Sequence, residues 1–368
     1  MNDPGDMAIR VAASPGEAHV AVTRDGRLID YALWRPGAPD GVGDIHRGRV
    51  AAIVPAMAGA FVTLTDAEGF LPDSEGAKGL TVGATVTVRI TRAAQGGKGP
   101  RLSARTPGIE PSQGPVALLR RGPTPVEILA ARHSDAAILV DNPGTAAALR
   151  AILGQRVTIT QEKLPDDIEE AIDALSRPLI GLPCGVRLSI WPTPALVAVD
   201  MDAAGALGRG HPALNRAALP GLADQIRLRN LSGAIVVDVA GLSARRRAAL
   251  APDFTAALAN DPLRPKFLGF TTLGLAEIVR PRVHPPLHEL LNTPLAAGLA
   301  ALRAVLAASG PDPRTMPALR AHPAVIAALQ ADPAALPDLL HRTGRAPTLR
   351  ADPSLPEMAW MMEKENAC

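Results

Sequence analysis

The chain has 368 residues, 47% of them hydrophobic and 20% charged, which gives room for two or three domains with separate cores and excludes a low-complexity polymer. Its two cysteines, Cys184 and Cys368, support neither a disulfide framework nor a cysteine-built zinc site, and no run of about eighteen apolar residues marks a membrane span. The net charge of +2 names no partner, so a nucleic-acid binder of this balance must gather its basic residues locally.

The opening MNDPGDM is acidic and contains a proline, unlike a signal peptide, and a reducing cytoplasm is the expected setting. Ala18–Trp34 alternates across an Arg24-Asp25-Gly26 turn, the pattern of a β-hairpin. After a Gly/Pro-rich stretch, short strands are predicted at His46–Val54, Gly59–Leu64, Gly69–Leu71, Thr81–Thr91 and Arg101–Ala104, a succession that suits a small OB-type β-barrel. Arg105–Pro115 reads as a linker.

Strands and helices then alternate. A strand is expected at Ala136–Val140, a helix at Gly144–Leu153, a strand at Val157–Thr160 and a helix with an acidic first turn at Asp166–Leu175. Val186–Trp191 and Ala195–Asp200 read as paired strands. They are followed by a helix near Ala213–Arg227, a strand Gly233–Val239, a helix Ala244–Leu258 and a strand Lys266–Thr271. This predicts an α/β architecture of packed layers. From about Leu287 the chain turns Ala-, Leu- and Pro-rich and ends in a strand-like Pro347–Arg350, the pattern of a small separate domain.

Two carboxylates stand out because each closes an apolar run: Asp200 after Ala-Leu-Val-Ala-Val and Asp238 after Ala-Ile-Val-Val. The carboxyl ends of strands are where ligands sit in α/β sheets, and two acids there can share a hard cation such as Mg²⁺. Asp202, two residues on, points to the same side of a continued strand. The alternative is a pair of turn or cap residues. Arg227, Arg229, Arg280 and Arg282 flank these strands, and Arg245–Arg247 follow Asp238; such residues either line a phosphate groove or are solvated helix ends. In the barrel, Phe61 and Phe70 lie near Lys98 in a Gly-rich turn, which fits base stacking with a phosphate contact or, equally, two core phenylalanines. Gly-Gly-Lys-Gly lacks the spacing of a P-loop, His284 and His288 are separated by Pro285-Pro286, and Cys184 reads as structural.

Several strings together resemble the ribonuclease E/G family. Gly48-Arg49-Val50, Ala60-Phe61-Val62, Gly69-Phe70-Leu71-Pro72 and Lys98-Gly99 are similar to its inserted RNA-binding barrel. ILVDNP, LPCG, ALVAVDMD, QIRLRNLSGAIVVD, LGLAEIVRPR and TLRADPS fit its later segments in order. The resemblance implies an RNase H-like domain (1–35 and 110–188) interrupted by the barrel (36–105), a DNase I-like catalytic subdomain (189–286) and a small C-terminal domain (287–368). It also implies an endoribonuclease that cuts single-stranded RNA, from ribosomal RNA precursors or messenger RNA, to 5′-phosphate and 3′-hydroxyl ends. Asp200 and Asp238 would bind Mg²⁺ with Asp202 beside them, and Phe61, Phe70 and Lys98 would touch RNA. The rival expectations are a non-catalytic RNA-binding protein of the same fold and a DNA-directed nuclease.

Three departures bear on regulation and assembly. Asp202 stands where the family usually has Asn, and Thr106–His133 is too short for the family's 5′-monophosphate-sensing subdomain. The zinc link expected after Arg282 is replaced by VHPPLHELLNTP. The expectation is therefore a shortened member without structural zinc, either a monomer or a dimer paired without zinc.

Overall fold

The computed structural model describes residues 7–110, 113–203, 211–309 and 316–363. Most of the opening MNDPGDM, two residues of the expected linker and Cys368 lie outside that set. In chain order come β1 (Met7–Ser14), β2 (Glu17–Arg24) and β3 (Arg27–Trp34). Next are β4 (Ile45–Val54), β5 (Gly59–Thr63), β6 (Glu68–Pro72), β7 (Thr85–Arg92), β8 (Arg101–Ser103) and β9 (Ala117–Arg120). Then α1 (Pro125–Arg132), β10 (Ala137–Val140), α2 (Pro143–Leu153), β11 (Val157–Ile159) and α3 (Asp166–Ala174) alternate. They lead to β12 (Leu179–Gly181), β13 (Arg187–Pro192), β14 (Val197–Asp202), α4 (His211–Leu228) and β15 (Gly233–Asp238). After these stand α5 (Ala244–Ala248), α6 (Ala251–Leu258), β16 (Lys266–Phe270) and β17 (Ala276–Arg280). The last stretch holds α7 (Leu287–Leu291), α8 (Pro294–Ala308), β18 (Ala318–Ala321), α9 (Pro323–Ala331), α10 (Ala335–Thr343), β19 (Leu349–Ala351) and β20 (Trp360–Glu363). Among the described residues no helix is long and apolar enough to cross a membrane.

Two compact units emerge. The first gathers Met1–Pro39, Thr124–Ser176 and Leu287–Cys368. Its five-stranded sheet runs β11-β10-β1-β2-β3, with β1, β10 and β11 parallel and β1–β3 an antiparallel meander. Asp25 and Gly26 both take positive φ, 50° and 70°, the two-residue turn geometry that suits an Asp-Gly pair between twisted strands. Ile9, Val11, Val20, Ile138 and Val140 meet Val126, Leu129 and Leu149 in one core. A second core in this unit joins Leu299, Leu302 and Val305 of α8 to Leu319, Val325, Leu329 and Leu339, beside the small sheet β19-β18-β20. Glu17 ties the two together: it accepts from Arg35 Nε at 2.8 Å and from Arg303 Nη2 at 2.5 Å.

The second unit gathers Asp40–Pro123 and Arg177–Pro286. Strands β4 to β8 close into a five-stranded barrel in the order β5-β6-β8-β7-β4, sealed by β4–β5 pairing, and β9 adds to the outside of β4. The five strands predicted from sequence are all present, shifted by a few residues at most. Val50, Val62, Leu64, Leu71, Val88, Ile90 and Leu102 fill the barrel. Residues 177–286 form a six-stranded sheet in the order β12-β13-β14-β15-β17-β16, in which only β14 and β15 pair in parallel. Hairpin pairing of β12 with β13 brings Leu179–Gly181 into this sheet, upstream of the boundary expected at residue 189. Leu188, Ile190, Val199, Ile235, Val237 and Ile278 pack against Leu214, Leu222 and Ile226 of α4 and Phe254 of α6. The predicted helix Ala244–Leu258 is two helices, because Pro252 has no N–H to give and its ring clashes with the carbonyl four residues back.

Candidate functional site

β14 and β15 run parallel and in register, with Val197 opposite Ile235, Val199 opposite Val237 and Asp200 opposite Asp238. Alternation sends the three valines, Met201 and Ile235 into the core and turns Asp200, Asp202 and Asp238 to the other face of the sheet. Neighbouring strands lie about 4.8 Å apart, so the carboxylates of Asp200 and Asp238 stand side by side. Both are exposed, and among the described residues neither has a hydrogen bond or ion pair. Two adjacent, uncompensated carboxylates repel each other unless a cation lies against them. Hard oxygen donors in a pair, open to solvent, fit Mg²⁺, which takes one or two carboxylates and fills its other positions with water and phosphate oxygens. No group of three or more His, Cys, Asp or Glu arranged to hold a metal occurs among the described residues; a two-carboxylate site requires none.

Asp202 differs. Its Oδ2 accepts from Arg187 Nη2 at 2.6 Å, and Arg187 is the β13 residue directly opposite it. In the next row of the same face, Ser189 lies opposite Asp200. The third carboxylate therefore stands beside the pair with its charge matched by a guanidinium.

The flanking arginines separate by role. Arg227 pairs with Asp224 at 2.7 Å on the last turn of α4. Arg229 is buried, donating to Gln225 Oε1 at 2.8 Å and to the Arg177 carbonyl at 2.6 Å, and burial pushes its pKa down to about 10. Arg280 is also buried; it grips Asp261 through Nε at 2.7 Å and gives Nη1 to Asn230 Oδ1 and the Leu231 carbonyl. A groove of four arginines beside the acids is thus corrected: Arg229 and Arg280 point inward and brace the sheet. Asn230, with φ 49°, completes that brace by donating to the His284 and Pro285 carbonyls. Sequence reasoning missed Asn230 and Asp261; the available signal was the polar string Arg-Leu-Arg-Asn between two apolar elements. Arg282 is exposed and lies over Gly233, where a Cβ would fall 2.5 Å from its Nη2.

On the barrel, Phe61 and Phe70 oppose each other across β5 and β6, ring centroids 5.5 Å apart and planes at 63°. Neither belongs to the barrel core; both lie half-buried on the outer surface. Lys98 is exposed in the turn closed by Gln95 and Lys98. That turn is anchored to the segment that follows β17: Ala93 N donates to the Val283 carbonyl at 2.8 Å, and Gln95 Nε2 reaches the same oxygen at 3.5 Å. Cys184 packs half-buried against the core of the six-stranded sheet. His284 Nδ1 lies 2.6 Å from Asp40 Oδ2, and burial pulls the pKa of His288 down.

Comparison with known proteins gives one direction. The family described as Ribonuclease E/G family matches residues 134–283, a stretch that holds Arg187, Asp200, Asp202 and Asp238 and begins beyond the barrel. Ribonuclease E of Nostoc sp. (strain PCC 7120) is 35% identical over 132 residues, covering 34% of this chain and 19% of that protein. Ribonuclease E of Synechocystis sp. is 27% identical over 180 residues, 43% of this chain and 26% of that protein. Ribonuclease G of Haemophilus influenzae is 28% identical over 130 residues, 34% and 26%. The matched stretch thus spans about a quarter or less of each of these relatives.

Proposed function

We propose that this chain, whose residues 134–283 match the ribonuclease E/G family, is a member of that family and an endoribonuclease of single-stranded RNA whose reaction runs at Asp200 and Asp238. The observation that carries the proposal is the in-register placement of these two acids, exposed and without a protein partner among the described residues, on adjacent parallel strands. On this reading they hold Mg²⁺. When bound, such an ion supplies a polarised phosphodiester and an activated water.

The protein's own residues do the rest. The register of β14 and β15 fixes the backbone from which Asp200 and Asp238 project, and so where the ion and with it the scissile phosphate would be held. Arg187 offsets the charge of Asp202, so that third carboxylate adds no net charge beside Asp200 and Asp238. Phe61 and Phe70 stack bases and Lys98 meets the backbone. Hydrolysis then leaves a 5′-phosphate and a 3′-hydroxyl. The mixed sheet of the first unit serves as the RNase H-like domain and the six-stranded sheet as the DNase I-like subdomain. Ribosomal RNA precursors and messenger RNA are the candidate substrates.

The test is cleavage of end-labelled single-stranded RNA and DNA of one sequence, with Mg²⁺ or with EDTA. RNA cut only with Mg²⁺, yielding 5′-phosphorylated fragments, is expected. RNA that is bound and never cut would replace the proposal with a non-catalytic RNA-binding protein, and equal cutting of DNA would remove the RNA preference.

A further inference from the structure

The outer surface of the barrel carries a row that continues past the two phenylalanines. Phe61 opposes Phe70, Phe70 opposes Arg101 and Arg101 opposes Arg92, across β5, β6, β8 and β7 in turn. Directly opposed residues project from the same face, and the neighbour of Arg101, Leu102, lies in the core, so this row faces outward. Arg282 joins its end. The backbone of Ala93, next to Arg92, is hydrogen-bonded to that of Val283, next to Arg282.

These three arginines differ from the buried ones. Arg229 and Arg280 use their donors on protein acceptors, whereas no described residue forms a hydrogen bond or ion pair with the side chain of Arg92, Arg101 or Arg282. Arg92 Nε is buried without a partner among the described residues. Burial and then the like charges of Arg101 and Arg282 pull the pKa of Arg92 down, so both of those guanidiniums lie within electrostatic reach of Arg92. Glu75, an acid within range of Arg101, is engaged by Ser103 Oγ at 2.7 Å and by Arg105. Arg92 is half-buried while Arg101 and Arg282 are exposed; like charges beside a partly desolvated guanidinium are unfavourable unless an anion lies among them, and a guanidinium fork matches the two oxygens of a phosphate.

We propose that Arg92, Arg101 and Arg282 form a phosphate-binding site that takes the backbone of single-stranded RNA as it leaves the Phe61–Phe70 stacking pair. The site deepens the RNA-directed reading above and rests on it. Stacked bases beside a run of cations is the arrangement by which a single strand is held without base-specific contacts. A free phosphate offers the same oxygens, but only a polymer engages the whole row.

The test is equilibrium binding of a fluorescent single-stranded oligoribonucleotide to the full chain in EDTA over a series of salt concentrations. For single strands each phosphate contact contributes about 0.7 to the slope of log affinity against log salt. Arg92→Ala, Arg101→Ala and Arg282→Ala are each expected to weaken binding and flatten the slope by about 0.7, while Phe61→Ala weakens binding at unchanged slope. Arg101→Lys keeps the slope and folds with the same charge. Unchanged slopes in all three alanine variants, with Phe61→Ala still weakening binding, would overturn the site and leave the RNA reading standing. Competition by millimolar inorganic phosphate with no change in slope on mutation would mark an adventitious ion pocket and equally overturn it. Failure of the parent protein to bind RNA overturns both.

Discussion

Arg187 and Asp202 form a largely exposed cross-strand ion pair, and such a pair contributes little to stability; under the proposed function its role is to offset the Asp202 charge beside Asp200 and Asp238. Arg187→Ala leaves an unmatched third carboxylate beside the two acids and is expected to slow RNA cleavage severalfold. Asp202→Asn in the same chain should restore most of the rate, and a double-mutant cycle on cleavage rates measures that coupling. Additive losses from the two changes would show that Arg187 acts independently of Asp202. At this scale the acid pair was legible in the sequence, because each Asp closes an apolar strand. The direction of the arginines was not: a sequence shows that Arg229 and Arg280 are charged, but not that Gln225, Asp261 and Asn230 wait inside to receive them. For Phe61 and Phe70, core and surface were equally compatible with the residue types, and only the barrel register places them outside.

At the scale of elements, short strands bounded by glycines were readable because alternation and turn residues agree, and the barrel followed. β17 was not foreseen: Ala276–Arg280 is five residues long and becomes a strand by pairing with β15 and β16. α1 was also missed, although Thr124 and Glu127 form a capping box around Pro125. β17 is fixed at its end by the buried pair of Arg280 with Asp261, their side chains 3% and 5% exposed. Removing one partner of a buried pair leaves the other uncompensated, at a cost of about 3–5 kcal/mol. Arg280→Ala is therefore expected to lower the melting temperature sharply, and RNA binding measured below the transition should be little changed. A stable variant with impaired RNA binding would return Arg280 to the RNA-contacting set.

On the scale of the whole chain, the first unit is assembled from three stretches distant in sequence, and Glu17 connects two of them through Arg35 and Arg303. Burial raises the Glu17 pKa, but the His19 ring 3.6 Å away and the two guanidiniums outweigh it and hold the carboxyl at about 2, against an ordinary value of 4.5. A depressed carboxyl pKa stabilises the fold fully above the ordinary value and loses that contribution as pH falls from 4.5 toward 2. Each tenfold change in proton affinity corresponds to about 1.4 kcal/mol. Glu17→Gln should therefore destabilise the protein at neutral pH by roughly 3 kcal/mol and flatten the fall of melting temperature across that acid window. Parallel melting curves for parent and variant through the window would contradict this role. No local pattern announces the clasp, since its charges lie up to 286 positions apart along the chain.

That Asp200 and Asp238 act as one site is tested most directly by paired cleavage and binding measurements on Asp200→Asn and Asp238→Asn. Each variant keeps the shape of its side chain and loses one charge. Cleavage of single-stranded RNA in Mg²⁺ should fall at least about a hundredfold in both, with affinity for the same RNA in EDTA unchanged because the barrel is untouched. Full cleavage by both variants, or cutting that persists in EDTA, would contradict it.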